Sequence, residues 1–313
     1  MPDVLHERSR SRGVLLKLRL KLERLSWLPQ TGIDCRVVNL PAGTNNSLIG
    51  SNQLEAISSL QNKRVRDAVR LHTSRGRKQQ DRIIIFGVRE IHRAILAKVE
   101  LTTLFLNAGY AMPPELKLDG CEVVMVTEAI FEKLSYGNRV DGVIAVAKRP
   151  LRSIEQFQAS EGIILVAESI EKPGNLGAIF RTADATSVGG VIVSEPVCDL
   201  FHPNSIRNST GTTFSLPTAV ADNAQTIAWL RERKYNIVLA TPEQADDVYD
   251  IQFGSRTAVV LGSEAHGLSD TWMAGDFRRV RLPMKGVADS LNVSVTAAVI
   301  MYEALRQKCH TAD

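Results

Sequence analysis

The second half of this sequence alternates short apolar segments with helical patterns, and this alternation restricts its possible folds more than any other feature. Chains that alternate strands and helices in this way build mostly parallel sheets. Open sheets of this kind bind ligands beyond the carboxyl ends of their strands. The predicted strands are IILVAES (163–169), GVIVS (190–194), YNIVLAT (235–241), AVVLGSE (258–264) and VRLPM (280–284).

The final predicted helix, residues 290–308, is apolar on nearly every side from Ala298 to Met301. A helix without a polar face must be buried, either in its own core or against a second subunit. Ser290 is the expected N-cap, because serine is among the residues preferred at that position.

The sequence predicts two folded domains and a basic N-terminal extension. A length of 313 residues allows about two domains. Four short apolar segments (82–87, 101–107, 122–127 and 142–148), with a basic helical segment over 52–80, predict a small α/β domain over 51–150. The polar segment 148–162 separates it from a second α/β domain over 155–313. We expect poor order in residues 1–50, with 16–22 as a weak strand candidate; a transit peptide or an upstream start codon would explain this extension equally well.

Basic residues concentrate in the first domain, where eight Lys/Arg face two Asp/Glu between residues 63 and 82. The whole chain has a net charge of only +4. Such a cluster is typical of proteins that bind a nucleic acid backbone, and a solvated helix face is the alternative. The candidate phosphate contacts in this cluster are Lys63, Arg64, Arg75, Arg77 and Lys78.

Cysteine usage and hydrophobicity exclude several classes of protein. Four widely spaced cysteines without a CxxC pair argue against a zinc site and against a secreted disulfide framework, so no metal is expected. No apolar run approaches the length of about 18 residues that a membrane helix needs. We therefore expect a cytoplasmic protein with no membrane partner.

The glycine motifs of other α/β enzymes are missing or altered. No GxGxxG turn occurs, which argues against dinucleotide dehydrogenases and ordinary Rossmann methyltransferases. The segment from Gly262 to Ser269 has the glycine spacing of a phosphate loop, but Leu268 stands where the phosphate-binding lysine belongs. No GxSxG elbow is present to anchor a hydrolase triad.

Three polar, glycine-rich segments instead follow buried strands: EKPGNLGAIFRTADA (171–185), VVLGSEAHGL (259–268) and LPMKGVADSLNVSV (282–295). Together they resemble the three motifs of the SpoU branch of the SPOUT superfamily of RNA 2'-O-ribose methyltransferases. Upstream, residues 62–91 and YGNRVDGVIAV (136–146) are similar to the substrate-binding domain of ribosomal RNA members.

This resemblance implies a C-terminal SPOUT α/β domain with a deep trefoil knot, preceded by a small α/β RNA-binding domain. It also implies S-adenosylmethionine as cofactor and a homodimer whose active site draws on both chains. The cofactor pocket that it implies consists of Gly262, Leu282, Leu291, Thr241, Leu261 and Met284.

The family arginine corresponds to Arg181, which we expect to grip a substrate phosphate and stabilise the developing alkoxide. Asn175 orients substrate or only caps its helix. Glu264 ends a buried strand and is expected to pair with Arg181 or Asn292. The remaining candidate residues are Ser290 and a buried Asn292 in the catalytic site, and Arg207 as a further phosphate contact.

The favoured function is S-adenosylmethionine-dependent 2'-O-ribose methylation of structured RNA, with large-subunit ribosomal RNA as the preferred substrate. Transfer RNA is an alternative substrate. A non-catalytic RNA-binding or ribosome-assembly protein on the same fold is the alternative function, and binding of the cofactor distinguishes the two.

Overall fold

The computed structural model describes residues 56–137 and 142–310, and they contain two β-sheets. The extension 1–50 and the strand candidate 16–22 lie outside the described residues. The smaller sheet and its helices comprise α1 (Lys63–Arg70), α2 (Ser74–Gln80), β1 (Arg82–Phe86), α3 (Val88–Leu96), β2 (Leu101–Asn107), β3 (Glu122–Val126), α4 (Glu128–Leu134) and β4 (Val143–Lys148).

The strand order of the small sheet is β1-β4-β2-β3. Strands β1 and β2 each pair antiparallel with β4, whereas β3 runs parallel to β2. All four strands lie where the apolar segments predicted them.

Two helices, α1 and α2, lie in the described part of the predicted helical segment 52–80. The Thr73 side chain caps α2 by accepting the N–H of Gly76. A Cβ at Gly76 would lie 1.9 Å from the carbonyl oxygen of Arg70, so only glycine allows α1 and α2 to approach this closely. The chain therefore turns at 71–73, between the helices.

The larger sheet and its helices comprise β5 (Ile164–Glu168), α5 (Pro173–Ala185), β6 (Gly190–Ser194), α6 (Pro203–Asn208), α7 (Thr212–Ser215), β7 (Thr218–Ala221), α8 (Asn223–Glu232), β8 (Asn236–Ala240), β9 (Asp246–Asp247), β10 (Thr257–Leu261), α9 (Asp270–Met273), β11 (Arg278–Arg281) and α10 (Val293–His310). Its order is β7-β6-β5-β10-β8-β11-β9, and every adjacent pair is parallel. The predicted parallel sheet is confirmed. Strands β7 and β9 were missed: β7 is a short segment directly after Pro217, and β9 consists of only two aspartates.

Apolar side chains fill both faces of the larger sheet. One face packs against Trp229 of α8 and Trp272 of α9. The other packs against α5 and α10, and this core continues into the small domain through Ile83 and Ile85 of β1. The two sheets therefore share one apolar core.

Helix α10 buries one face and leaves another open. Ile300 and Met301 are each 1% exposed, whereas Val295 is 46% and Tyr302 is 53% exposed. Within a single chain the expected all-round burial is therefore incomplete. The predicted capping role of Ser290 was wrong, because the helix starts later and the Oδ1 atom of Asn292 accepts the N–H of its first turn.

A buried ion pair joins the small domain to the large one, and we call Arg77 and Asp199 the junction pair. The Nε of Arg77 donates to Oδ2 of Asp199 at 2.6 Å, and its Nη1 donates to the carbonyl oxygens of Leu71 and His72. Arg149 approaches the other carboxylate oxygen at 3.4 Å. The predicted phosphate contact of Arg77 was wrong, because its side chain is completely buried and its guanidinium is used inside the protein.

Candidate active site

A cavity of about 780 Å³ opens at the carboxyl ends of β8, β10 and β11, against the first turns of α10. This is the edge of a parallel sheet at which ligand sites are expected. Its walls come from the segments that follow those three strands and from α10 itself. All six predicted cofactor-binding residues line the cavity: Thr241, Leu261, Gly262, Leu282, Met284 and Leu291.

The loop 262–269 forms one wall of this cavity. Backbone hydrogen bonds of 2.9 and 3.1 Å run in both directions between Ser263 and Gly267 and close the loop on itself. A Cβ at Gly262 would lie 2.3 Å from the carbonyl carbon of Gly267. The close backbone approach predicted at Gly262 therefore occurs, and the backbone that approaches it belongs to Gly267 of the same loop.

The carboxylate of Glu264, in the same loop, holds the start of α5. Its Oε1 accepts from Nδ2 of Asn175 at 2.7 Å and from the N–H of Lys172 at 3.3 Å, and its Oε2 accepts from the N–H of Glu171 at 3.0 Å. Partial burial alone would raise the pKa of Glu264, but these hydrogen bonds to the charged form outweigh it and the pKa lies below its ordinary value. Glu264 is therefore a carboxylate at neutral pH.

The predicted partners of Glu264, Arg181 and Asn292, were wrong, and Asn292 is exposed rather than buried. Asn292 instead donates from Nδ2 to Oδ1 of Asn175 at 3.3 Å. Asn175 therefore bridges Glu264 and Asn292, a role that helix capping alone does not explain. This chain of hydrogen bonds connects the segments 171–185, 259–268 and 282–295.

Arg181 lies further along α5 than Asn175, and its side chain is exposed. Its guanidinium is therefore accessible to a phosphate. Ser290 is also exposed and lines the cavity together with Glu264 and Asn292. Four of the five predicted catalytic residues therefore meet at the cavity or through the hydrogen bonds of Asn175, whereas Arg181 does not line the cavity.

Most of the predicted RNA-binding side chains are on the surface, and only Arg77 is buried. Arg64 forms a surface ion pair with Glu122 at 2.7 Å, in which both side chains are about half exposed. Such pairs are weak and leave the charge available to another partner. The exposed candidates are Lys63, Arg64, Arg75, Lys78 and Arg207.

Cys198 is close enough to Glu264 and Asp199 to experience their charges. Burial raises the pKa of its thiol to about 11, and the two carboxylates contribute to the shift. The thiol therefore stays protonated at neutral pH, and a protonated thiol is a poor nucleophile. The site offers amide, carboxylate and guanidinium groups, which position a substrate, rather than an activated cysteine.

Comparison with known proteins places these segments in a family. Residues 162–302 match the SpoU rRNA Methylase family, and residues 62–145 match the MRM3-like substrate binding domain. The chain is 32% identical to a 23S rRNA (uridine(2479)-2'-O)-methyltransferase of Streptomyces viridochromogenes over 194 residues, which cover 60% of this chain and 68% of that protein. The chain belongs to the SpoU rRNA methylase family.

Solved SpoU structures share the fold over most of the chain. A crystal structure of an RNA 2'-O ribose methyltransferase superimposes with a TM-score of 0.71 and 38% identity, and covers 81% of this chain and 99% of that one. The SpoU methyltransferase AviRb from Streptomyces viridochromogenes, in complex with AdoMet, gives a TM-score of 0.72 and 27% identity over 80% of this chain and 99% of its own. The similarity therefore includes both sheets.

Sequence reasoning missed Lys172 and Asp289, which also line the cavity of this SpoU-family chain. Both lie inside the motif segments, so their place in those segments could have identified them from the sequence. Within residues 56–137 and 142–310, no three metal-ligating side chains come together. No helix in that part of the chain is long and apolar enough to cross a membrane.

Proposed function

We propose that this SpoU-family chain transfers a methyl group from S-adenosylmethionine to the 2'-hydroxyl of a ribose in large-subunit ribosomal RNA. One observation carries the proposal: three segments far apart in sequence converge on one cavity through the hydrogen-bond chain Glu264, Asn175 and Asn292. The named activity of the Streptomyces relative, 2'-O-methylation of a 23S rRNA uridine, is of the same class.

The cavity suits S-adenosylmethionine in size and chemistry. Its volume lies within the range of about 300–1,000 Å³ that is typical of small-molecule sites. Leu261, Leu282 and Met284 provide apolar surface for an adenine ring, and glycine at 262 allows the loop 262–269 to close as one wall. When bound, this cofactor supplies an electrophilic methyl group on a positively charged sulfonium.

Arg181 binds the phosphate next to the target ribose in this proposal. A guanidinium stays protonated, with a pKa above about 12, and therefore does not act as a base at neutral pH. Its planar donors hold a phosphate in a defined orientation and stabilise negative charge that develops on the attacking oxygen. The hydroxyl proton passes to an oxygen of that phosphate.

Glu264 and Asn175 act as one unit that orients the ribose. The carboxylate accepts from Nδ2 of Asn175, and this bond determines which way the amide faces. The Oδ1 atom of Asn175 is engaged by Asn292, so the start of α10 is aligned with the start of α5. Fixing the attacking group in this way accelerates a transfer reaction because less entropy is lost on reaching the transition state.

The chain path around the cavity supports a deep trefoil knot. The loop 262–269 and the segment 282–292 line the same cavity, and α10 then packs beside α5 on one face of the larger sheet. We infer from this packing that the chain threads between its own earlier loops, which would make it one of the rare exceptions to unknotted folds.

A homodimer completes the proposed enzyme. Four apolar side chains on α10 and the segment before it are at least 39% exposed, and exposed apolar patches mark interaction sites. A second copy of the chain, packed on this surface, would bury them beside the cavity. They are Val287, Leu291, Val295 and Tyr302.

The small domain supplies the RNA-binding surface, and we place its limits at 51–150, with the methyltransferase domain at 155–313. Exposed basic side chains on α1 and α2, with Arg207 on α6, provide positive charge on both domains. This charge suits a folded RNA that contacts both domains at once.

Calorimetric titration with S-adenosylmethionine tests the cofactor, and ribose-methylation mapping of RNA from cells with and without the gene tests the substrate. We expect binding, and loss of one 2'-O-methyl group from large-subunit ribosomal RNA in the deleted strain. A lost mark in transfer RNA would replace the proposed substrate. Absence of cofactor binding would indicate a non-catalytic RNA-binding protein.

A further inference from the structure

A buried carboxylate lies at the carboxyl end of β5 that the mechanism above does not use. Glu168 is 1% exposed and accepts hydrogen bonds on both oxygens. Its Oε1 accepts from Nδ2 of Asn223 at 2.6 Å and from the Ser269 hydroxyl, and its Oε2 accepts from the N–H of Ser269 at 3.0 Å. All three donors are neutral groups, so this buried charge is held by hydrogen bonds alone.

The partner of Glu168 belongs to the wall of the cofactor cavity. Ser269 lies between Leu268 and Asp270, both of which line the cavity, and it is the N-cap residue of α9, whose Met273 lines the cavity too. Ser269 itself is not among the lining residues, so Glu168 holds the wall from behind.

Asn223 extends this contact to the neighbouring elements. Its Oδ1 accepts from the Ser194 hydroxyl at 2.6 Å, at the end of β6, and from the indole N–H of Trp272 at 2.9 Å, in α9. The network therefore connects β5, β6, α8 and α9 at the edge of the sheet that carries the cavity.

We propose that Glu168 is a positioning residue for S-adenosylmethionine, which sets the segment 267–273 of the cavity wall at the place that the cofactor requires. This inference rests on the proposed function. Glu168 does not touch the cofactor, and it acts through Ser269.

Two acceptor oxygens are needed at this position because the Asn223 amide and the Ser269 N–H point at different oxygens of Glu168. A glutamine has one acceptor oxygen and one NH2 group, so its NH2 would face either the Asn223 amide or the Ser269 N–H. A flip of Asn223 would relieve the first conflict, but it would then point an NH2 group at the Trp272 indole N–H, which cannot accept. Each arrangement of Glu168→Gln therefore leaves two donors in contact, and the wall segment must move.

The test compares Glu168→Gln with the wild type in the full-length protein. We expect the dissociation constant and the KM for S-adenosylmethionine to rise about tenfold or more, because a buried donor is left unsatisfied, while the affinity for RNA is unchanged. Glu195→Gln is the matched control, since Glu195 accepts the backbone N–H of Asn223 and does not contact Ser269. Its cofactor affinity should equal that of the wild type.

If Glu168→Gln fails to fold, Ser269→Ala provides the same test with a smaller change. This variant loses the hydroxyl and keeps the N–H that Glu168 accepts, and we expect a rise of a few-fold in both cofactor constants. A purely structural role predicts a lower melting temperature with unchanged cofactor affinity in the folded protein, and this result would overturn the inference alone. Absence of binding by the wild type would instead overturn the proposed function, and this inference with it.

Discussion

Arg77→Ala removes the cation of the junction pair and leaves Asp199 buried. The Asp199 side chain is only 4% exposed, and its remaining donors are the Phe201 N–H at 3.0 Å and Arg149 at 3.4 Å. The carbonyl oxygens of Leu71 and His72 lose their donor in the same step. The variant therefore carries a buried carboxylate that has lost its closer cation and keeps only the longer contact with Arg149, together with unsatisfied acceptors.

Breaking a buried ion pair by removing one partner costs about 3–5 kcal/mol. Domains have a total stability of about 5–15 kcal/mol, so this loss is large but leaves a folded protein. For a protein of this size, one kcal/mol shifts the melting temperature by about 2–4 °C. We therefore expect Arg77→Ala to melt about 6–20 °C below the wild type in differential scanning calorimetry.

The double variant Arg77→Met with Asp199→Asn distinguishes a buried charge from simple loss of volume. Replacing both charges removes the buried carboxylate charge, so the double variant should melt above Arg77→Ala, although it also lacks the guanidinium. If Arg77→Ala melted within about 2 °C of the wild type, the charge would not be desolvated and the reasoning would be refuted.

Arg181→Ala should abolish methyl transfer and leave the affinity for S-adenosylmethionine within a few-fold of the wild type, since Arg181 does not line the cavity; unimpaired transfer would contradict its assignment. Replacing Arg75 and Lys78 by alanine should reduce the slope of log affinity for RNA against log salt by about 0.7–0.9 per lost phosphate contact, and an unchanged slope would indicate a solvated face. Ala298→Glu should convert a dimer into a monomer or an aggregate in sedimentation, because it introduces a carboxylate on the proposed interface helix; a wild-type monomer with full activity would exclude the dimer. Hydrogen bonds from Arg306 and Gln307 lower the pKa of Glu303 to about 2. The wild type should therefore have a higher free energy of unfolding than Glu303→Gln above pH 4.5, and this difference should disappear as the pH falls through 2. A difference in free energy of unfolding that stays constant during acid denaturation would refute this.

Short sequence patterns were sufficient to predict most strands and the residues that lie within the three motifs. Nine strands of the described residues overlap a segment that was predicted from apolar residues, whereas the aspartate pair of β9 has no such signal. Five of the six predicted cofactor-binding residues lie inside the three motif segments, and all six line the cavity.

Long-range contacts account for what the sequence did not predict. Arg77 was counted with the exposed basic residues because its partner Asp199 lies 122 positions away. The partner of Glu264 was misjudged for the same reason, since Asn175 is 89 positions away and the choice among three polar side chains depends on how α5 packs. The buried position of Glu168 depends on hydrogen bonds from Asn223 and Ser269, and both residues are far from it in sequence.

The cavity takes one wall from α10, where Thr296 and Ile300 line it. The cavity is therefore completed only late in protein synthesis, when α10 has been made. All strands of both sheets in the described residues precede α10 in the chain, so they leave the ribosome before it. The cofactor site cannot exist before that helix has emerged and packed beside α5. Ligand binding stabilises only the state that binds, so the cofactor adds its free energy to completed molecules alone. Chains whose last helix is missing or misplaced gain nothing from the cofactor and remain the more readily degraded fraction.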